Sequence, residues 1–324
     1  MAWQLYQGDA LETLKQMEDE SIHCCVTSPP YWGLRDYGVD GQLGLEPTPD
    51  EYVAKMVEVF REVKRVLRDD GTLWLNLGDS YMGSWGNYAP TGKGGQRAKQ
   101  VERWRRGAYE GKEDWRPPTS MKQEGIKPKD LVGIPWMVAF ALRADGWYLR
   151  QDIIWHKVNA MPESVKDRCT KAHEYIFLLA KSAQYYYDNK AIKEPIKEIS
   201  IRRAEYGWDC DRPSTKNASM NGEGIHTKKM GTRFVNPDGR NKRSVWTVTT
   251  KPFKEAHFAT FPPEIPETCI KAGCPEGGTV LDPFAGAGTT LYVSEQLGRN
   301  SIGIELNPEY CEIIRCRMAG LDWK

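Results

Sequence analysis

Apolar and polar positions along this chain fall into two periods that take turns. A short alternating run, Trp3 to Tyr6, ends at Gly8-Asp9, and an apolar stretch, Ile22 to Thr27, runs into Ser28-Pro29-Pro30-Tyr31. Both read as strands. From Pro49 to Leu67 the apolar residues Tyr52, Met56, Val59, Phe60, Val63 and Leu67 recur at helical spacing, and Asp70-Gly71 is expected to end that helix. Thr72 to Leu77 then reads as a strand closing at Gly78-Asp79, Leu131 to Ala144 as a helix, and Tyr148 to Trp155 and Glu174 to Leu179 as strands. The last unit runs from a helix over Pro263 to Ala272 into the strand Thr279 to Leu281 and the turn Asp282-Pro283-Phe284-Ala285-Gly286-Ala287-Gly288-Thr289-Thr290. A helix to Leu297, the strand Asn300 to Ile304 with Glu305 at its end, and a helix from Pro308 complete it. Strands that take turns with helices predict an α/β fold with a mainly parallel sheet covered by helices.

Two stretches break the rhythm, roughly 81–129 and 195–243, and both are basic. The first carries Lys93, Arg97, Arg103, Arg105, Arg106 and Arg116 among others, and the second Arg202, Arg203, Arg212, Lys228, Lys229, Arg233 and Arg240. Net charge is only +1, so this clustering says more about partners than the total does. Trp104, Trp115 and Trp208 lie within the two stretches, a mixture suited to nucleic acid. Irregular segments of this length inside a compact domain usually have a task. The chain is therefore read as one domain from 1–80, 130–194 and 244–324, with two basic inserts.

In 324 residues, 40% of them hydrophobic, there is material for one large domain. No apolar run approaches the roughly 20 residues that span a bilayer, and Met1 to Asp9 lacks a basic-then-apolar leader. A cytoplasmic protein is expected. The eight cysteines include no C-x-x-C pair, and no histidine pair has zinc-finger spacing. They are expected to be reduced thiols acting as small buried hydrophobes, with neither metal nor disulfide.

Two segments carry candidate chemistry. Glycines between a strand and a helix, at Gly286 and Gly288, let backbone approach a ligand closely, and the helix N-terminus offers amides to an anion. Glu305 ends the next strand, about twenty residues on, where an acid can bind ribose hydroxyls. A nicotinamide site is the rival, but Leu291 stands where its third glycine belongs. A carboxylate suits the amides as well as a phosphate does, so S-adenosylmethionine would also fit. In Ser28-Pro29-Pro30-Tyr31, two prolines remove donors and stiffen the loop, leaving acceptors for an incoming amino group. Tyr31 can stack on a planar base; Trp32 suits core packing and base contact equally.

Together, Ser28-Pro29-Pro30-Tyr31 and Asp282-Pro283-Phe284-Ala285-Gly286-Ala287-Gly288-Thr289 resemble the catalytic and cofactor motifs of amino-group DNA methyltransferases. The order, catalytic motif first, resembles the β class. Supporting segments are Gly71 to Asp79, Ile153 to Lys157, His257 to Pro262 and Gly303 to Glu305. The resemblance implies a Rossmann-like methyltransferase sheet with circularly permuted motif order, S-adenosylmethionine as cofactor, and double-stranded DNA as partner. It implies cofactor contacts from Asp282, Pro283, Phe284, Gly286, Gly288, Thr289, Glu305 and Phe261. The strand that the family places after Glu305 is supplied by Trp3 to Asp9, which makes Asp9 the candidate for the adenine amino contact and brings the termini together. A base rotated into a pocket would offer its amino group to Ser28 and the Pro29 carbonyl. No Pro-Cys dipeptide supplies the nucleophile for carbon-5 methylation. Serine in the first motif position favours cytosine N4, with adenine N6 as the alternative, followed by RNA or protein acceptors or a catalytically silent DNA-binding module. Target reading is assigned to 195–243, with 81–129 closing over the DNA as a lid or supporting it. A homodimer and a restriction endonuclease partner are allowed but not required.

Overall fold

The structure is a computed structural model that describes residues 2–34, 37–82, 125–196, 198–199, 239–250 and 261–320. Most of both basic inserts, Trp104, Trp115, Trp208, Cys210 and the segment 257–260 lie outside the described residues. Eight strands form one sheet: β1 (Trp3–Gln7), β2 (Ile22–Thr27), β3 (Leu67–Leu77), β4 (Tyr148–His156), β5 (His173–Ala180), β6 (Val245–Thr247), β7 (Thr279–Asp282) and β8 (Asn300–Glu305). Their order is β1-β8-β7-β2-β3-β5-β4-β6. Every neighbouring pair is parallel except the two made by β5, which runs against both β3 and β4.

The helices are α1 (Ala10–Leu14), α2 (Pro49–Val66), α3 (Ile134–Ala144), α4 (Glu264–Gly273), α5 (Thr289–Gln296) and α6 (Pro308–Met318). Helix α2 starts on Thr48, whose side chain accepts from the Glu51 N–H, with Pro49 in the first turn. Its Tyr52, Met56, Val59, Phe60 and Val63 are buried on one face. They pack with α1, α3 and one face of the sheet, where Cys25, Leu73, Leu75, Leu77, Phe177 and Leu281 project. Their strand neighbours Cys24, Trp74, Ile176, Leu178 and Val280 are also buried, as the period of two requires when both faces are covered. On that second side Gly273 of α4 lies against Trp74 and Cys24.

Three features depart from the sequence pattern. Helix α2 stops at Val66, not at Asp70-Gly71, because the Leu67 backbone turns extended and pairs with Ile22. The pairing then jumps to Cys24 with Thr72, so Arg68 to Gly71 form an irregularity within β3. Helix α1 and strand β6, each too short to show a period, were not expected. Strand β1 pairs in parallel with β8, Gln7 opposite Glu305, and the Ala2 N–H donates to Asn300 Oδ1 at 3.0 Å, so the N-terminal strand takes the predicted place beside the C-terminal unit.

Residues 188–243 form a compact unit of their own. Its two ends are joined where Glu194 and Arg240 exchange backbone hydrogen bonds of 2.9 Å, and Glu194 Oε2 pairs with Arg240 and Arg243 at 3.0 Å. Of the described cysteines, Cys24, Cys25, Cys269, Cys274 and Cys311 are buried and outside any disulfide, whereas Cys169 is exposed. Among the described residues no helix is long and apolar enough to cross a membrane.

Candidate active site

Strand order reverses between β7 and β2, and ligands of such sheets bind outside the carboxyl ends of the strands at that point. Asp282 ends β7 and is buried to 1% exposure. It accepts from Thr27 Oγ1 at the end of β2 and from Thr290 Oγ1 in α5, both at 2.7 Å, and from the Phe284 N–H at 3.1 Å. Burial raises its pKa to about 6, partly countered by those three donors. The carboxylate thus ties the two strand ends and the following turn together.

Above this clamp lies a cavity of about 620 Å³, in the range of small-molecule sites. One side is framed by Gly8, Asp9, Phe261, Pro283, Phe284, Gly286, Thr289 and Glu305. Both oxygens of Glu305 accept backbone N–H groups, Oε2 from Gly286 and Oε1 from Asn307, each at 2.8 Å. Burial still dominates and raises its pKa to about 7. Gly286 has φ 53°, and a Cβ there would meet nothing closer than 4.0 Å. Asp9 caps α1 by accepting from the Glu12 N–H at 3.0 Å. Neither Asp282 nor Gly288 lines the cavity. Gly288 begins α5 at φ 73°, and a Cβ there would come within 3.0 Å of Ile314.

The opposite side is made by Ser28, Pro29, Pro30 and Tyr31, together with Asn76, Lys157 and Glu174. The Pro30 carbonyl is taken by the buried Tyr52 hydroxyl at 2.9 Å. Ser28 Oγ donates to Tyr31 Oη at 3.2 Å, and Tyr31 donates in turn to Glu174 Oε2 at 2.9 Å. Asn76 donates to Glu174 Oε2 at 3.2 Å and to the Tyr175 carbonyl at 3.0 Å, while its own oxygen lies 3.1 Å from Tyr31 Oη. Lys157 pairs with the other Glu174 oxygen. Burial, then the charge of Glu174, holds the Tyr31 phenol pKa well above its usual value, so the hydroxyl stays protonated. The tyrosine ring lies on Gly78, where an added Cβ would come within 2.6 Å of it. With its own proton committed to Tyr31, Ser28 presents only lone pairs to the cavity.

Sequence reasoning missed Glu174 as a site residue, and with it the side chains of Asn76 and Lys157. Trp32 is resolved: it is 2% exposed, donates from Nε1 to the Glu46 carbonyl at 2.9 Å, and belongs to the core.

The profile of the N6/N4 methyltransferase family, DNA methylase, matches residues 22–315. The chain belongs to this DNA methylase family. Type II methyltransferase M.Cfr9I of Citrobacter freundii is 47% identical over 319 residues, covering 98% of this chain and 88% of that relative. Type II methyltransferase M.SmaI of Serratia marcescens is 44% identical, covering 96% and 89%. Among solved structures, the PvuII DNA methyltransferase, described as cytosine-N4-specific, superposes with a TM-score of 0.62 at 19% identity, covering 99% of this chain and 87% of that one. A putative DNA modification methylase of Thermus thermophilus, complexed with S-adenosyl-L-methionine, gives 0.57 at 23% identity, covering 98% and 95%. At these identities the two structures bear on the fold, which they share.

As a DNA methylase of the amino-group type, the enzyme takes its methyl group from S-adenosylmethionine. The cavity suits that molecule chemically. The half-buried Glu305 carboxylate offers acceptors of the kind a ribose diol needs, and the turn at Gly286, where a side chain would enter open space, leaves room for a ligand against backbone. Among the described residues no group of three or more His, Cys, Asp or Glu side chains could hold a metal ion.

Proposed function

We propose that this DNA methyltransferase modifies the N4 amino group of cytosine, turned out of duplex DNA into the cavity beside Ser28. The observation that carries the reading is the direction of the hydrogen-bond chain from Ser28 through Tyr31 to Glu174. It makes the serine an obligate acceptor, which is what an amino group needs, without placing a carboxylate against it. The amino group donates to Ser28 Oγ and the Pro29 carbonyl, which turns its lone pair away from both. S-adenosylmethionine, held by Glu305, the turn at Gly286, Phe261 and Asp9, would supply an electrophilic methyl group. As nitrogen becomes methylated its N–H turns acidic. Ser28 accepts that proton while passing its own to Tyr31, which passes one to Glu174; no tyrosinate or free alkoxide forms. Positioning and removal of charge thus do the catalytic work.

A serine hydroxyl in the first position of the motif favours cytosine, and the cytosine-N4-specific PvuII enzyme shares the fold. Residues 195–243 are assigned to target reading, supported by the basic composition of that stretch and by the separate unit of 188–243. The test is nucleoside mass spectrometry of mixed-sequence duplex DNA incubated with the enzyme and S-adenosylmethionine. N4-methylcytosine is expected. N6-methyladenine would keep the acceptor chemistry and overturn the choice of base, and no methylated base would overturn the reading.

A further inference from the structure

Among the described residues the two most exposed large apolar side chains, Met161 at 82% and Val158 at 62%, lie on one loop, 157–172, between β4 and β5. The loop leaves the carboxyl end of β4, the edge of the sheet on which the cavity opens. Exposed apolar residues scattered singly need no explanation. Two on one braced loop at a ligand site do.

The bracing is extensive. The Lys157 N–H donates to the Ala172 carbonyl at 2.8 Å, closing the neck. Asn159 donates to the Thr250 carbonyl and accepts from its N–H, both at 2.9 Å, and accepts from its hydroxyl at 2.8 Å. Arg168 pairs with Glu163 and stacks 3.9 Å over the Tyr81 ring, and Lys171 donates to the Asp79 carbonyl at 3.0 Å. Met161 is therefore held outward by fixed flanks, with Pro162 stiffening its exit.

Its position is equally specific. Lys157 and Thr250, on one flank, line the main cavity. Glu163, Arg168 and Lys171, on the other, line a smaller hollow of about 130 Å³, and Leu34 borders both. Met161 thus stands on the loop between the cavity meant for a displaced base and this neighbouring hollow. The two acids of the loop are engaged, Glu163 by Arg168 and Asp167 by Lys129, while Lys166 is exposed. Lys157, Lys166, Arg168 and Lys171 outnumber the two acids, so an apolar point stands on a net-basic loop, complementary to a base stack flanked by phosphates.

We infer that Met161, supported by Val158, enters the DNA duplex at the target step and takes the place of the base that has turned out. This rests on the proposed extrahelical base. Unstacking costs less when the target is already mispaired, so a residue that fills the vacated space matters most for a fully paired target. Methionine suits the task because its unbranched thioether adapts to an irregular gap.

The test uses the full-length enzyme and a synthetic duplex carrying a methylated site first mapped in mixed-sequence DNA, either fully paired or mispaired at the target. Affinity for both duplexes is measured by fluorescence anisotropy for wild type, Met161→Ala and Met161→Leu, with S-adenosylmethionine affinity as the check of folding. Met161→Ala is expected to weaken binding of the paired duplex by roughly tenfold, the scale of losing one buried apolar side chain, and the mispaired duplex by much less. Met161→Leu is expected to stay near wild type. Equal losses on both duplexes, or no loss on either, overturn the inference. Absence of any DNA methylation by the wild type would instead overturn the underlying reading.

Discussion

With Glu305 holding S-adenosylmethionine as proposed, cofactor binding is coupled to pH. The Glu305 pKa lies at about 7 because burial outweighs the two backbone donors that hold the carboxylate. Each carboxylate oxygen already accepts one N–H, from Gly286 or Asn307, so a proton on either would displace a backbone bond and remove a lone pair from the cavity. A ribose diol donates its hydrogens and therefore selects the ionised form. At about pH 6 roughly a tenth of the free enzyme is ionised, and at about pH 8 roughly nine-tenths. Apparent affinity scales with the competent fraction, so S-adenosylmethionine should bind about tenfold more weakly at the lower pH, some 1.4 kcal/mol. Titration calorimetry in two buffers of different ionisation enthalpy should show nearly one proton released on binding near pH 6 and almost none near pH 8. Glu305→Gln should bind more weakly throughout and lose this proton release, and its curve also subtracts the titration of the ligand's own amino group. A wild-type affinity constant within about twofold over the interval, or the same proton release in Glu305→Gln, would refute the reasoning.

The other predictions concern the same framework. Glu174→Gln should lower turnover by roughly a hundredfold or more while S-adenosylmethionine affinity holds, because the final proton acceptor is lost; single-turnover kinetics over a pH series test it. Asp282 and Glu305 both carry raised pKa values, about 6 and about 7, so the folded state holds protons that the unfolded state has released. Stability without ligand should therefore fall as pH rises from about 4 through about 7, and urea midpoints should follow that slope, less steeply in Glu305→Gln. Gly288→Ala should destabilise by roughly 1–3 kcal/mol in urea melts, through strain at φ 73° and crowding against Ile314. Thr27→Val leaves one Asp282 oxygen without its 2.7 Å donor. It should cost roughly 1–3 kcal/mol, and unchanged stability would count against the clamp.

Most of the sheet was legible because its strands are bounded by residues with a mechanical meaning. Ser28-Pro29-Pro30 cannot continue a ladder, and Gly286 and Gly288 take positive φ where the chain leaves β7 for α5. The same devices that end the strands build the cavity, so strand ends and site were read together. Glu174 escaped for a topological reason. Attention to the carboxyl ends of strands finds sites in a parallel sheet, but β5 is antiparallel, and its first residues reach the cavity edge. Nothing local to His173-Glu174-Tyr175 signals that inversion. The end of α2 was missed because Leu67 satisfies both the helical period and the pairing with Ile22, and the sheet decides.

The pairing of β1 with β8 also has a consequence in time. On a ribosome adding about 5–20 residues per second, the first strand waits roughly 15–60 seconds before its partner at residues 300–305 emerges. During that interval it is a bare edge. Gln4 and Gln7 in a five-residue strand keep that edge short and partly polar, which disfavours pairing with another nascent chain. Pairing with β8 then seats a segment made much earlier, and Gly8 and Asp9 join the cavity wall only when it does. A chain stalled before residue 300 would lack β8 and Glu305 and leave β1 unmatched, so the cavity wall is complete only once β8 has emerged.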